Sequence, residues 1–371
     1  MSAGAPLALG VDVGGTHTKA VAVSRGTLEP VASAIVPTTH EADAGVAEGV
    51  VAALLAVVGR LGGRAADVGL VGISSTQAVN ALLEGDVAVV GVLGAASGRE
   101  ARRARRHARI RPLEVAPGRT LRPVHAFLDD PDPDDAAIDR ALDELVGMGA
   151  EAIAASAAYS VEDPRIERRI AARATDRGLP ACAGHELTGL YGLELRTQTA
   201  TVNASILPVM RETAEHVEAA LRRAGIDATC LVVQGDGGGA PFAAVRERPI
   251  ATLFSGPAAS VAGILRAAGV RDGLVVEHGG TSTNVAAVTG GDPALDYVRI
   301  GRHPTCVRAL DVRVVGVAGG SLMRSEGRRR LAVGPRSAHV AGLPYACFSP
   351  PLVDPELVEI APRPGDPACY L

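Results

Sequence analysis

Two short stretches of this chain match each other: residues 11–18 read VDVGGTHT and residues 276–283 read VEHGGTST. Each follows an apolar run, opens on a carboxylate (Asp12 or Glu277), turns through Gly-Gly-Thr-x-Thr and enters a second apolar run. Strand, acid, glycine pair, hydroxyls and strand suit a hairpin that holds phosphate. Paired glycines let backbone N–H groups come close to an anion. A carboxylate at the strand end holds Mg2+ through water, because Mg2+ takes few protein ligands and keeps its own shell. The phosphate-binding candidates are therefore Gly14, Gly15, Thr16 and Thr18 in the first copy, and Gly279, Gly280, Thr281 and Thr283 in the second. Lys19 either contacts phosphate or covers the strand edge. Asp12 and Glu277 are the candidate metal and catalytic acids. A single such turn is equally well an ordinary tight hairpin. Two copies, each opening an α/β half, predict two similar halves that clamp a triphosphate between them.

A third stretch, residues 315–321 (VGVAGGS), runs from an apolar strand into Gly-Gly. It predicts a strand–turn–helix in which Gly319, Gly320 and Ser321 lie against an adenosine. Asp236, in the turn QGDGGG at 234–239, is a further candidate for the cleft wall near substrate or metal, although turn chemistry alone explains it as well.

Periodicity predicts strands at Leu7–Val13, 18–23 and 30–36, a helix over 42–61, a strand at 68–74, a helix at 76–83 and a strand at 87–93. That is an α/β order with an antiparallel start. Seven arginines crowd residues 99–111. They read as a solvated surface segment with charge on all helix faces, with docking to an acidic partner as the alternative. Residues 112–135, rich in Pro and Asp, read as loop. A second α/β layer follows, with helices at 134–147 and 164–177 around a strand at 150–156. A boundary near 184–197 divides an N-terminal lobe, 1–184, carrying the first turn, from a lobe at 185–371 carrying the other two. In the second lobe the pattern predicts helices at 207–223 and 256–268 and strands at 228–234, 273–277 and 284–288.

Composition narrows the function. Aromatics are 2% of the chain and there is no Trp, so the cores must be built from aliphatic side chains. A net charge of -4, with no aromatic in the arginine run to stack on a base, argues against nucleic acid. No apolar run approaches the roughly 20 residues of a membrane span and no secretory leader opens the chain, so a cytoplasmic protein is expected. The five cysteines form no CxxC pair and read as core residues.

The three turns, in this order, resemble the phosphate-1, phosphate-2 and adenosine pattern of the actin, Hsp70 and sugar-kinase superfamily. The chain is more closely similar to the A-type subunit of the hydantoinase/oxoprolinase family. SSTQAVNALLE (74–84), DPRIERR (163–169), TATVNASILPVM (199–210), RPIATLFSG (248–256) and VGPRSA (333–338) carry that likeness. It implies two actin-like (RNase H-like) lobes and ATP with Mg2+ as cofactors. It also implies hydrolysis of a small cyclic amide, such as a hydantoin or a 5-oxoproline-like lactam, through a phosphorylated amide, beside a B-type subunit. Related carboxylases and kinases use the same ATP step. The chain departs from the family pattern at Lys19, Glu277 and Asn284, where aspartates are usual. Asn284 cannot act as a base, so the alternatives are a carboxylase subunit or small-molecule kinase of the same superfamily, and a regulatory or decayed subunit that binds nucleotide without turnover.

Overall fold

A computed structural model describes residues 6–14, 17–38, 47–116, 118–280, 282–326 and 330–337. Gly15, Thr16, Thr281, the last residue of the 333–338 stretch and the tail from 338 onward lie outside the described residues. The chain forms two compact units, Met1–Ala259 with Leu295–Ala309, and Ser260–Ala294 with Leu310–Leu371.

The first unit opens with an antiparallel meander of β1 (Leu7–Val13), β2 (His17–Ser24) and β3 (Pro30–Pro37). Helix α1 (Ala47–Arg60) then returns the chain to β4 (Val68–Ser75), which runs parallel to β1. Alternation buries Leu7, Leu9, Val11 and Val13, and helical spacing buries Val50, Ala53, Leu54 and Val57 of α1 in the same core. After α2 (Gln77–Glu84) come β5 (Val90–Ala96), α3 (Ala101–Ala108), β6 (Leu113–Ala116), β7 (Arg119–Leu121) and β8 (Val124–Asp129). Then follow α4 (Asp135–Gly147), β9 (Ala152–Ala157), α5 (Arg165–Asp176), β10 (Ala181–Ala183) and α6 (Gly184–Leu187). Helix α7 (Leu193–Arg223), β11 (Thr229–Val233), β12 (Gly239–Pro241) and the first residues of α8 (Ser255–Ala268), up to Ala259, complete the run.

These strands form two larger sheets, ordered β12-β11-β4-β1-β2-β3 and β10-β9-β5-β8, and a separate pair of β6 with β7. The α/β class with mixed sheets is as expected, but four local expectations need correction. The stretch 112–135 is not loop. It holds three strands, and β8 pairs in parallel with β5, with Pro112 and Pro123 falling just before strands rather than inside them. The arginine helix is not charged on every face: Ala101, Ala104 and Ala108 form a buried stripe under it. Strand β5 belongs to the second sheet. The sheet that carries the first turn is completed instead by β11 and β12, from later in the chain.

The fourth correction is α7, a continuous helix of 31 residues that runs through Pro208. Its first half is rich in β-branched and polar residues, and Thr197, Thr199 and Thr201 return their hydroxyls to the carbonyls of Leu193, Leu195 and Thr197 at 2.6, 2.9 and 2.8 Å. Those bonds let buried threonines pass through the core without unsatisfied hydroxyls. Proline disturbs the helix ladder one turn upstream, and there the Ser205 carbonyl accepts from the Ala88 N–H at 2.8 Å.

In the second unit, β14 (Thr283–Thr289) lies between β13 (Gly273–His278) and β18 (Val312–Val315), antiparallel to both, with β15 (Asp292–Pro293) beyond. Strands β16 (Leu295–Ile300) and β17 (His303–Leu310), which up to Ala309 belong to the first unit, pair with each other. The stretch after Gly319–Gly320 was expected to be helical. It is instead strand β19 (Ser321–Glu326), which pairs with β20 (Arg330–Ser337). No helix among the described residues is long and apolar enough to cross a membrane.

Candidate functional site

The first turn joins β1 to β2. Asp12 stands opposite Lys19 on β2 and opposite Ser74 on β4, so these three residues form a row on one sheet face. Lys19 is exposed and Asp12 half-buried. The Ser74 hydroxyl donates to Asp12 Oδ1 at 2.7 Å and fixes the carboxylate. Alternation turns Thr18 the other way. It is fully buried, and its hydroxyl bonds Thr38 at 3.2 Å while Thr38 donates to the Gly14 carbonyl at 2.8 Å. Thr18 therefore holds the turn from beneath rather than facing outward. The Gly14 N–H closes the hairpin on the His17 carbonyl at 3.2 Å.

Residues outside the matched turns complete the site's surroundings. The turn from β4 into α2 clips to β1, with the Thr76 N–H and hydroxyl both donating to the Val13 carbonyl at 3.0 and 3.1 Å. Ser255, at the start of α8, is fully buried. It donates to the Ser75 carbonyl at 2.9 Å and accepts from the Ser75 N–H at 3.0 Å. Gly256 follows, and a Cβ built on it would lie 3.7 Å from Asp12 Oδ1. The positive end of α8 thus adjoins the Asp12 carboxylate.

Two backbone features hold α8 there. Phe254 has φ +63°, a left-handed conformation that costs a bulky residue about 1–3 kcal/mol. A Cβ on Gly235 would sit 2.0 Å from the Leu253 carbonyl, so only glycine admits that approach. Asp236, one residue on, is exposed and caps its own turn by accepting from the Gly238 N–H at 2.9 Å.

The second turn, in the other unit, repeats the first. The Gly279 N–H closes on the Ser282 carbonyl at 3.0 Å. Glu277 stands opposite Asn284, as Asp12 stands opposite Lys19. Both oxygens of Glu277 are engaged, Oε1 by the Ser260 hydroxyl at 2.9 Å and Oε2 by the Asn284 amide at 3.0 Å. The third turn lies directly on the second: Gly319 and Gly320 donate to the carbonyls of Gly279 and Gly280 at 3.0 and 2.8 Å. Thr283 donates to the Val317 carbonyl at 2.5 Å and bonds His278 Nδ1 at 2.7 Å. The Ser321 hydroxyl accepts from the Ala318 N–H at 2.7 Å.

The DPRIERR stretch and His185 meet in a separate buried cluster. Glu167 has no solvent exposure and accepts from the Ala157 N–H at 2.8 Å, and from the His185 N–H and Nδ1 at 2.7 Å each. A buried carboxylate so fully bonded ties α5 to β9 and α6. The described cysteines are held as thiols: burial pushes Cys182 and Cys230 up to about 12 and also raises Cys306. Among the described residues no three His, Cys, Asp or Glu side chains are grouped to cage a metal. A hydrated Mg2+ resting on a single strand-end carboxylate needs no such cage, so Asp12, with bare glycine backbone beside it, fits that ion.

Models of the hydantoinase/oxoprolinase N-terminal region and of hydantoinase/oxoprolinase match residues 8–178 and 196–358. The chain belongs to the hydantoinase/oxoprolinase family. Caprolactamase subunit alpha of Pseudomonas jessenii is 32% identical over 235 residues, which is 61% of this family member and 33% of that protein. The crystal structure of ATP-dependent caprolactamase from Pseudomonas jessenii superposes with a TM-score of 0.65 at 29% identity, covering 91% of this chain and 52% of the other. Nucleotide-free acetone carboxylase, at 20% identity, shares the fold with a TM-score of 0.68, over 89% of this chain and 51% of its own. The match thus spans a third of the curated relative and about half of each solved chain.

Proposed function

We propose that this chain binds ATP with Mg2+ on its acid–glycine turns and activates a small cyclic amide for hydrolysis, as an A-type subunit beside a B-type partner. The observation that carries the reading is the repeated turn: a strand-end acid braced by a serine, then a glycine amide closing the hairpin, at Asp12 and again at Glu277. Family membership and the likeness to an ATP-dependent caprolactamase support the substrate class.

ATP supplies the phosphoryl group that makes an unreactive amide open to water. The residues here contribute position and charge balance. Asp12, held by Ser74, orients the water shell of Mg2+. Lys19, in the same row, offsets phosphate charge. Gly14 and Gly279 spend their N–H groups on turn closure, so phosphate contact falls to Gly15, Thr16, Gly280 and Thr281. Gly319, Gly320 and Ser321 border the adenosine side of the second turn. Asp236 stays a candidate for substrate contact.

Asp12→Asn tests this, because it keeps the size and the Ser74 bond but removes the charge. Calorimetric titration should show Mg2+-dependent ATP binding weakened at least tenfold. Equal affinity in the variant would defeat the assignment. The engagement of both Glu277 oxygens by neutral donors favours a second reading, in which the chain binds nucleotide without turning it over. ATP binding with no phosphate release across hydantoins and lactams, with the partner subunit present, would select it.

A further inference from the structure

The first unit holds a cavity of about 470 Å³ between α3, the turn after β9 and the start of α7, within the roughly 300–1,000 Å³ of small-molecule sites. It contains none of the turn residues discussed above. Its wall includes Glu100, Arg103, Tyr159, Tyr191, Leu193 and Arg196. Three observations point to a charged ligand.

Arg196 is only 2% exposed, and its Nη atoms are bonded to the carbonyls of Leu190 and Ala157 and to the Ser160 hydroxyl at 3.2, 3.1 and 3.0 Å. Its Nε, however, is buried with no acceptor. A buried donor left unsatisfied costs about 1–3 kcal/mol, more when charged. Secondly, Arg103 and Glu100 form no ion pair among the described residues, whereas Arg169, Arg173 and Arg177, elsewhere in the unit, each pair with an aspartate of the α4 region. The remaining charged pair on the wall, His107 with Glu194, already meets at 3.1 Å. Thirdly, Tyr159 is held at φ +60° in the turn after β9 and is 57% exposed, with Tyr191 at 68%. Their rings and Leu193 add apolar surface to the same wall.

One carboxylate, two guanidinium groups without a full set of acceptors and an apolar wall are complementary to a molecule with a charge of each sign. We propose that this cavity binds a small zwitterionic amino acid, its carboxylate on Arg103 and Arg196 Nε and its ammonium on Glu100. The site does not depend on the nucleotide turns. If those act as proposed, opening a cyclic amide releases a compound of this class, which places the cavity after that reaction.

Titration of the intact chain with 6-aminohexanoate, and with hexanoate and hexylamine as single-charge controls, tests the inference. The amino acid should bind at one site at least tenfold more tightly than either control. Arg103→Ala and Glu100→Gln should each lose at least tenfold, Arg103→Lys should recover part, and Arg106→Ala, on the same helix but off the wall, should match wild type. Titrating ATP into Arg103→Ala keeps the two proposals separate, since nucleotide affinity should not change there. No saturable binding of any of the three probes at millimolar concentration, or unchanged affinity in Arg103→Ala, would overturn the assignment.

Discussion

Ser255→Ala removes one oxygen and two hydrogen bonds. In the native fold that hydroxyl gives its proton to the Ser75 carbonyl and takes the Ser75 N–H, at 2.9 and 3.0 Å, with Ser255 fully buried and Ser75 8% exposed. Alanine leaves a buried N–H and a buried carbonyl without partners, and each orphan costs about 1–3 kcal/mol. Taking the lower half of that range for partial relaxation gives about 2–4 kcal/mol in all. In domains of about this size each kcal/mol moves Tm by roughly 2–4 °C, so a drop of roughly 5–15 °C is expected. Urea unfolding followed by far-UV circular dichroism, with Ser260→Ala as a half-exposed control on the same helix, measures it. Hydrogen exchange should show the Ser75 amide losing protection. Because Ser255 also anchors Gly256 beside Asp12, ATP affinity should fall with stability. A variant within 0.5 kcal/mol of wild type, with Ser75 still protected, would refute the reciprocal bond and the account of how α8 is seated.

Further outcomes follow from other contacts. A Cβ on Gly14 would stand 2.8 Å from the His17 carbonyl, and one on Gly279 3.2 Å from the Ser282 carbonyl. Gly14→Ala should therefore weaken ATP binding more than Gly279→Ala does, with circular dichroism unchanged in both; the reverse order would count against the turns as phosphate sites. The Arg246 guanidinium, at 2.8 and 3.0 Å, holds the Glu218 carboxyl below its usual 4.5. The folded value is depressed, so the pair's contribution is present above that usual value and is lost as pH falls through the lower folded one. The stability gap between wild type and Glu218→Gln should be steady near neutral pH and close in acid, as urea midpoints across pH will show. With Cys347 and Cys369 replaced by Ser, the thiols pushed up to about 12, Cys182 and Cys230, should resist alkylation at neutral pH until denaturant is added.

Much of the candidate site was legible because its signals are local. A strand-end acid followed by Gly-Gly marks a hairpin wherever it occurs, and both copies close as hairpins with the acid at the expected place. Thr18 shows the limit of that reading. Its neighbours suggest a phosphate hydroxyl, but strand alternation, anchored by the buried run Leu7 to Val13, points it into the core against Thr38. Ser74, Ser255 and Gly256 lay inside stretches that resembled the family, yet nothing local ties residue 74 to residue 12 or residue 255 to residue 75. Helix α7 was read short because β-branched threonines and Pro208 oppose helix locally, while burial and hydroxyl bonds to the preceding turn favour it in the folded chain.

The sequence alone determined the α/β class, the antiparallel opening of the sheet, the two matched turns and the aliphatic make-up of the core, since periodicity and backbone conformational preference act within a few residues. Only the tertiary structure decided which strand neighbours which, that β11 rather than β5 extends the first sheet, that the third turn is bonded to the second, and that Arg103 lacks the aspartate partners that the arginines of α5 possess. Those outcomes depend on which distant surfaces bury against each other, and a backbone or charged group is satisfied or left open only once that choice is made.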